Sequence, residues 1–203
     1  MQRRDALRIF LGGILLAPVS SLAAGTGAPI LDKFHAQYRS VRALSCTFRD
    51  GKSLTGTLLA QRGGRYRITL PDREIVSDGS SVWSATTSAR TVIINTYNPS
   101  SNDLSLERVF FEIMNVYRSS IRESRRDGGA VIRLEAPRAD AVIAGVTVAD
   151  VNVDPSCIVK SITLTHNGST QQFHIQKLQL TPRIRKTDFS YTPPLGWEIV
   201  DLR

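Results

Sequence analysis

The amino-acid sequence predicts a mainly β fold, in which a strongly bent antiparallel sheet is covered on its apolar side by amphipathic helices. About ten short stretches between residues 44 and 191 alternate apolar and polar side chains, which is the period of a strand with one buried face. Two other stretches repeat their apolar residues every three or four positions, which is the period of a helix. An antiparallel sheet with one apolar face must close into a barrel or be covered, and the two helices can provide that cover.

Residues 1–24 have the pattern of a secretory signal peptide. The basic pair Arg3-Arg4 precedes a short apolar stretch, and Ala23-Ala24 end the segment. We expect cleavage near Ala23-Ala24 and export to the periplasm, by either a twin-arginine or a general secretory route. An uncleaved membrane anchor is the alternative, although the apolar stretch is too short to span a bilayer comfortably. No later stretch is apolar enough for a membrane span, so residues 25–203 are expected to form one soluble domain.

The formal net charge is +8, of which residues 1–24 contribute +2 from three arginines and one aspartate, so +6 remains on the rest of the chain. A basic surface attracts anionic membranes, acidic proteins or nucleic acid. The basic stretch at residues 62–67, with Tyr66 able to stack on a base, is the best candidate for nucleic acid. An exported protein rarely meets nucleic acid, so no nucleic-acid partner is expected.

The first helix is predicted at residues 29–41, because Ile30, Phe34, Tyr38 and Val41 recur on one face. Strands are predicted at 44–48, 54–60, 66–70, 75–76, 82–85 and 91–95. Asp78-Gly79 is a hairpin turn signal within this series.

A second helix is predicted at residues 106–117, with Asp103 or Ser105 as its N-cap. Its wide apolar stripe consists of Leu106, Val109, Phe110, Ile113, Met114 and Tyr117. A plain core helix is the simpler interpretation of this stripe, and a lid over a hydrophobic cavity is the other.

Further strands are predicted at 130–134, 142–153, 158–164 and 173–180, and a last short one at 189–191. Asn167-Gly168 predicts a hairpin turn between two of them. Ile175 and Leu178 fall on opposite parities, which predicts a bulge near Gln176 or Lys177.

The sequence offers little for catalysis. His35 lies in the first predicted helix beside its apolar stripe, and His166 and His174 lie on predicted strands with no carboxylate nearby. No serine elbow, C-x-x-C pair or phosphate-binding glycine loop is present. Cys46 and Cys157 are suited either to a disulfide or to small core positions. We expect no metal, no cofactor and no enzymatic activity.

The order of four segments resembles the LolA-type periplasmic lipoprotein carriers, over residues 31–201. The segments are Gly56–Arg62 followed by Arg65–Ile68, the hairpin Val76–Trp83, the Tyr97-Asn98-Pro99 turn before the helix Leu106–Tyr117, and the tail Phe189–Asp201. The chain departs from the family at Gly63, where a proline is usual, at Arg65 and Arg67, where the family is more apolar, and by an insertion at residues 86–90. These departures concern the cargo more than the fold.

The resemblance implies an unclosed antiparallel β-barrel, covered by two or three α-helices around a hydrophobic cavity. Arg62 matches the family arginine that hydrogen-bonds lid backbone and holds the empty carrier closed; a solvated turn arginine is the alternative role. We expect acyl chains to contact Trp83, Val109, Phe110, Ile113, Met114, Tyr66 and Ile68.

The resemblance also implies a function and its partners. A monomeric periplasmic chaperone would accept acylated lipoproteins from an inner-membrane lipoprotein-releasing transporter and pass them to an outer-membrane lipoprotein acceptor. A carrier of another lipid or polyisoprenoid with the same fold is the alternative.

Overall fold

One twelve-stranded sheet dominates the computed structural model, which describes residues 27–52, 54–101 and 105–203. The predicted signal peptide and the candidate N-cap Asp103 lie outside these residues. Two helices, α1 (Gly27–Ser40) and α2 (residues 106–116), accompany the strands. The strands are β1 (Ala43–Asp50), β2 (Thr55–Gln61), β3 (Arg65–Thr69), β4 (Arg73–Asp78), β5 (Ser81–Thr86), β6 (Thr91–Thr96), β7 (Arg118–Ser124), β8 (Ala130–Glu135), β9 (Val146–Val153), β10 (Val159–His166), β11 (Ser169–Gln179) and β12 (Glu198–Asp201).

In space the strands follow the order β12-β6-β5-β4-β3-β2-β1-β11-β10-β9-β8-β7. The β1–β11 pairing joins the meander β1–β6 to the meander β7–β11. Neighbours run antiparallel except β12, which is parallel to β6. Because β12 and β7 remain as two separate edges, the sheet is an unclosed barrel. The predicted fold class, a mainly β half-barrel with a helical lid, is confirmed.

Turn chemistry fixes the register of the second meander. Asn167 and Gly168 connect β10 to β11 with φ values of 47° and 76°, the left-handed pair that a two-residue type I′ turn requires. Opposite β1, Ser45 faces Gln179 but Thr47 faces Gln176, so β11 contains one extra residue. Lys177 has a φ of 50° at this point. The predicted bulge is therefore confirmed.

Helix α1 packs through its predicted apolar face. Phe34 and Tyr38 are fully buried, and their rings lie 4.9 Å apart. The Tyr38 hydroxyl donates to the Cys157 carbonyl (3.0 Å) and accepts from the Val159 amide (3.3 Å). These bonds satisfy the Cys157 carbonyl just before β10 and the Val159 amide at its start, so α1 is attached to the sheet by polar as well as apolar contacts.

Helix α2 is α-helical at Leu106–Arg108, π-helical at Val109–Ile113 and α-helical again at Met114–Val116. The wider π turn leaves backbone carbonyls without the usual helical partner. The Asn115 side-chain amide donates to two of them, the carbonyls of Phe110 (3.3 Å) and Phe111 (3.0 Å). Ser105 occupies the N-cap position but makes no side-chain cap bond to the helix backbone.

Three strand predictions are corrected. β7 was not predicted, because its sequence RSSIRES is mostly polar and it forms a sheet edge. β9 begins at Val146 instead of residue 142, because Ala144 and Gly145 adopt φ values of 49° and 71°. The last strand is β12 and not residues 189–191.

A cation and a carboxylate explain why residues 189–191 are not a strand. Arg67 donates to the carbonyls of Asp188 (2.8 Å) and Ser190 (2.7 Å). The Asp188 carboxylate accepts from the Arg185 amide at 2.8 Å and closes a 3-10 turn at Lys186–Phe189. Side chains therefore take the backbone partners that a neighbouring strand would have used.

Within the described residues, no helix has the length and hydrophobicity to cross a bilayer.

Candidate functional site

The two faces of the β2–β6 meander carry separate apolar clusters. Leu58, Ile68, Ile75, Ser84 and Ile93 lie opposite one another on successive strands and therefore share one face. Leu58 and Ile68 pack with residues of α1 and α2. We call this the inner face.

The outer face has its own small cluster. Trp83 pairs with Ile94, and Ala85 with Val92, at the opposite parity from the inner-face row. These side chains pack with Tyr191 and Trp197 of the C-terminal segment, and this cluster includes no residue of α1 or α2. The outer face is thus covered by the tail of the chain.

An apolar cavity of about 340 Å³ lies between the inner face and the N-terminal end of α2. Most of its wall is hydrophobic, and Leu54, which is 40% exposed, stands at its rim. The lining residues are Phe48, Leu54, Leu58, Ile68, Leu70, Ile75, Leu106, Leu164 and Phe173, with Ser105, His166 and Gln171 as the polar members. A concave apolar site with a few polar groups is the usual form of a small-molecule pocket.

Sequence reasoning identified one member of this wall, Ile68. It missed Leu58, Leu70 and Phe173, although the first two could have been found because their strand parity places them beside Ile68. Leu106 was recognised as part of the helix stripe but not as a cavity residue.

Four predicted cavity residues are buried in the core of the closed structure. Val109, Phe110, Ile113 and Met114 are each at most 1% exposed and pack against α1 and the sheet. The Phe110 ring stacks on Tyr38 of α1, with the centroids 6.2 Å apart. In this closed arrangement α2 packs on α1 at these positions, so the four residues would contact a ligand only after the helices separate.

Two further predicted residues are placed elsewhere. Trp83 lies on the outer face and is not brought together with the helix residues, because its parity in β5 directs it away from α2. Tyr66 is on the inner face but lines a neighbouring polar pocket.

Arg62 connects the β2–β3 hairpin to both helices. Its Nε donates to the Val41 carbonyl (2.7 Å), Nη1 to the Phe111 carbonyl (3.3 Å) and Nη2 to the Arg39 carbonyl (3.4 Å). The guanidinium carbon also lies 5.3 Å from the centre of the Phe111 ring. Because Arg39 is in the last turn of α1 and Phe111 is in the π turn of α2, one planar fork of donors binds the backbone of both helices.

The hairpin that carries Arg62 depends on two glycines. Gly63 and Gly64 have φ values of 92° and 73°, which favour glycine. A Cβ atom on Gly64 would lie 2.4 Å from the Tyr97 ring, so the ring packs directly on the backbone there. Arg62 is thereby held close to the segment that leads into α2.

A polar pocket of about 310 Å³ lies beside the apolar cavity. Its wall contains a buried carboxylate, two tyrosines and several amides and hydroxyls: Tyr66, Val82, Asn95, Thr96, Tyr97, Asn98, Ser101, Ser105, Glu107 and Arg108. Glu107 is only 3% exposed, and its carboxylate accepts a hydrogen bond from the Ser105 hydroxyl. Burial raises the pKa of Glu107 to about 7.

The neighbouring Arg108 is directed to other partners. It donates to the Glu112 carboxylate (3.1 and 3.2 Å) and to the backbone carbonyls of Ser101 (2.5 Å) and Pro99 (3.0 Å). Its guanidinium fixes the loop before α2 and pairs with Glu112. Among the described residues, Glu107 therefore has no ion pair.

Catalytic chemistry has little support in the described ranges. No group of three His, Cys, Asp or Glu side chains in them is arranged to hold a metal ion. His35 Nε2 lies 2.6 Å from the Ser119 hydroxyl, but its buried Nδ1 has no hydrogen-bond partner there, so no carboxylate orients the ring as in a hydrolase triad. Cys46 and Cys157 are buried and not bonded to each other. Burial raises the pKa of Cys46 to about 12, so its thiol is a core group.

No protein-family model matches the sequence, and no curated protein matches it significantly. Solved structures share its architecture. An uncharacterized conserved protein from Thermus thermophilus superposes with a TM-score of 0.53 at 10% identity, over 86% of this chain and 98% of that one. What the two share is the fold.

Two other solved structures align less closely. A LolA superfamily protein from Nitrosomonas europaea gives a TM-score of 0.43 at 11% identity, over 83% of this chain and 99% of that one. LprF from Mycobacterium bovis gives 0.43 at 8% identity, over 83% and 96%.

Proposed function

We propose that this chain is exported to the periplasm, where it carries lipoproteins by binding their acyl chains in the inner-face cavity. The observation that carries the proposal is the apolar cavity of about 340 Å³ between the sheet and the start of α2. A cavity with such walls favours an apolar guest over water. The sequence resemblance to the LolA-type carriers supports the lipoprotein as cargo, and the pattern of residues 1–24 supports export.

A carrier is required by the energetics of the cargo. Each acyl methylene exposed to water costs about 0.8 kcal/mol, so a multiply acylated protein crosses water only at a cost of tens of kcal/mol. The proposed carrier is a monomer that takes the cargo from an inner-membrane lipoprotein-releasing transporter and delivers it to an outer-membrane lipoprotein acceptor.

The size of the cavity supports a lid that opens. Ligand pockets commonly span about 300–1,000 Å³, and this one, at about 340 Å³, is near the lower limit. Several acyl chains need more room, and α2 must then move away from the inner face. Arg62 opposes this movement because it donates to the Phe111 carbonyl of α2 while it is also bound to the carbonyls of Arg39 and Val41. Movement of α2 must break the bond to Phe111, which weakens the cargo complex enough for an acceptor to remove the cargo.

A carrier of a single-tailed lipid or a polyisoprenoid is the second candidate. The same small volume favours it, because one chain fits with less opening of the helices than several chains do.

Depletion of the protein in its native bacterium tests the proposal. Accumulation of lipoproteins in the inner-membrane fraction is the expected result. Unchanged lipoprotein sorting, together with a single-tailed lipid in mass spectra of the gently purified protein, would favour the second candidate. A protein that retains no lipoprotein, lipid or polyisoprenoid, and whose depletion changes the distribution of none of them, would contradict both.

A further inference from the structure

The polar pocket adjoins the apolar cavity, and we propose that it binds the cationic amine head of an amphiphile whose tail lies in that cavity. This inference rests on the proposed function, because it assigns a tail to the apolar cavity. It adds a head-group site and a charge preference.

The two cavities are placed as a tail site and a head site. Ser105 lines both of them. On β3, Ile68 lines the apolar cavity and Tyr66 lines the polar pocket, two residues apart on the same face. One such step along a strand is about 7 Å, so a ligand leaving the apolar cavity along β3 reaches Tyr66 within a few bond lengths.

The carboxylate of Glu107 supplies the charge. It is almost fully buried, and it accepts hydrogen bonds from the Ser105 hydroxyl and the Arg108 backbone amide, which leaves about two of the roughly four acceptor positions that a carboxylate offers. Arg108 lines the same pocket, but its guanidinium donates to the Glu112 carboxylate and to backbone carbonyls. A buried carboxylate without an ion pair favours its protonated form, as the raised pKa of Glu107 indicates, and an ammonium group in the pocket would stabilise the ionised form.

Two aromatic rings add to the preference. Tyr66 and Tyr97 line the same pocket as the Glu107 carboxylate. Cations are attracted to tyrosine faces, and the attraction grows when the site is shielded from water. A sulfate or phosphate head, in contrast, would meet the Glu107 charge directly. The net charge of +6 on residues 25–203 works against this preference, so selectivity for a cation must come from the pocket itself.

Three amphiphiles with the same tail test the inference. Dodecylammonium, dodecanol and dodecyl sulfate are titrated below their aggregation concentrations into the full chain, and the affinities are measured by calorimetry. The wild-type protein should bind dodecylammonium about tenfold more tightly than dodecanol, the factor expected for one charge-assisted hydrogen bond, and should bind the sulfate most weakly. Glu107→Gln should bring the ammonium and alcohol affinities within about twofold of each other.

Glu123→Gln is the matched control, since it removes the same charge from an exposed side chain on β7 and should leave the preference intact. Amide NMR shifts of the wild-type protein give a readout that needs no variant. Differences between the ammonium and alcohol complexes should centre on Ser105, Glu107 and Tyr97.

Each outcome separates the two proposals. If all three ligands bind without head-group preference, if the preference survives Glu107→Gln, or if the shift differences lie elsewhere, the head site is wrong while the tail cavity stands. If none of the ligands binds, the tail cavity and the head site are both wrong.

Discussion

Replacement of Arg62 by leucine tests whether the helices must leave the sheet before cargo enters. The side chain donates to the carbonyls of Arg39, Val41 and Phe111, so the variant removes a donor from the backbone of both helices. Hydrogen bonds from charged groups contribute about 1.5–3 kcal/mol each when well shielded. Arg62 is largely exposed, and water can replace it at these carbonyls, so we expect the closed state to lose about 1–2 kcal/mol in total.

This loss predicts a change in affinity of known sign. Because cargo binds the open state, the free energy removed from the closed state appears as tighter binding, by about 5-fold to 30-fold. Hand-over to the acceptor should slow correspondingly, while the free energy of unfolding of the empty protein falls.

A reconstituted transfer assay with a fluorescent acylated lipoprotein and its acceptor measures both quantities. Arg65→Leu is the matched control, since Arg65 lies in the same hairpin but, within the described ranges, its side chain donates only to the Asp78 carbonyl of the adjacent strand β4. It should transfer cargo like the wild type. Equal hand-over rates for Arg62→Leu and wild type would refute the lid-lock role.

Four further predictions concern the cavity, the buried carboxylate and the packing of the faces. Ile75→Trp places a ring in the apolar cavity and should weaken acyl-chain binding at least about tenfold in a displacement assay. If the variant binds acyl chains with the affinity of the wild type, the tail lies elsewhere. The pKa of Glu107 rises from 4.5 in the unfolded chain to about 7 in the folded one, so the free energy of unfolding should fall by about 3 kcal/mol as pH rises through this window. Denaturant titrations across this pH range should show that Glu107→Gln removes the slope, and a slope that persists in the variant would contradict the burial of this carboxylate. Both tryptophans, Trp83 and Trp197, lie in the outer cluster, so ligand titration should leave the tryptophan emission maximum unchanged, and a clear blue shift would show that the inner-face assignment is wrong. Tyr38→Phe removes the bonds to Cys157 and Val159 and should lower the free energy of unfolding by about 1–3 kcal/mol; a loss below about 0.5 kcal/mol would mean that these bonds contribute little.

The fold could be predicted because its signals are local. Alternation and turn chemistry located most strands, and the bulge at Lys177 followed from a change of parity within one segment. β7 and β12 were missed for the opposite reason. Their pairing depends on distant neighbours, since β12 joins β6 in parallel after a long connection, and neither sequence is apolar enough to show it.

The site was harder to predict because it depends on how two helices pack. In the apolar stripe of α2, the residues that pack in the core and the residue that lines the cavity follow one another at the same three- or four-residue spacing, so the pattern does not distinguish them. Only the position of α1 decides that Phe110 fills the core while Leu106 borders the cavity. The sequence gives no sign that Glu107 is buried, because nothing in its local pattern distinguishes this carboxylate, between Leu106 and Phe110, from one exposed to solvent.

Photo-crosslinking tests the central claim most directly. A lipoprotein or lipopeptide carrying a diazirine in its acyl chain is bound to the full chain and irradiated, and the adducts are mapped by mass spectrometry. The tail should label residues that line the inner-face cavity, such as Leu58, Ile68 and Ile75, and Ile75→Trp should abolish the labelling. Adducts concentrated on the outer cluster around Trp83, or on the exposed Leu195, would contradict the account.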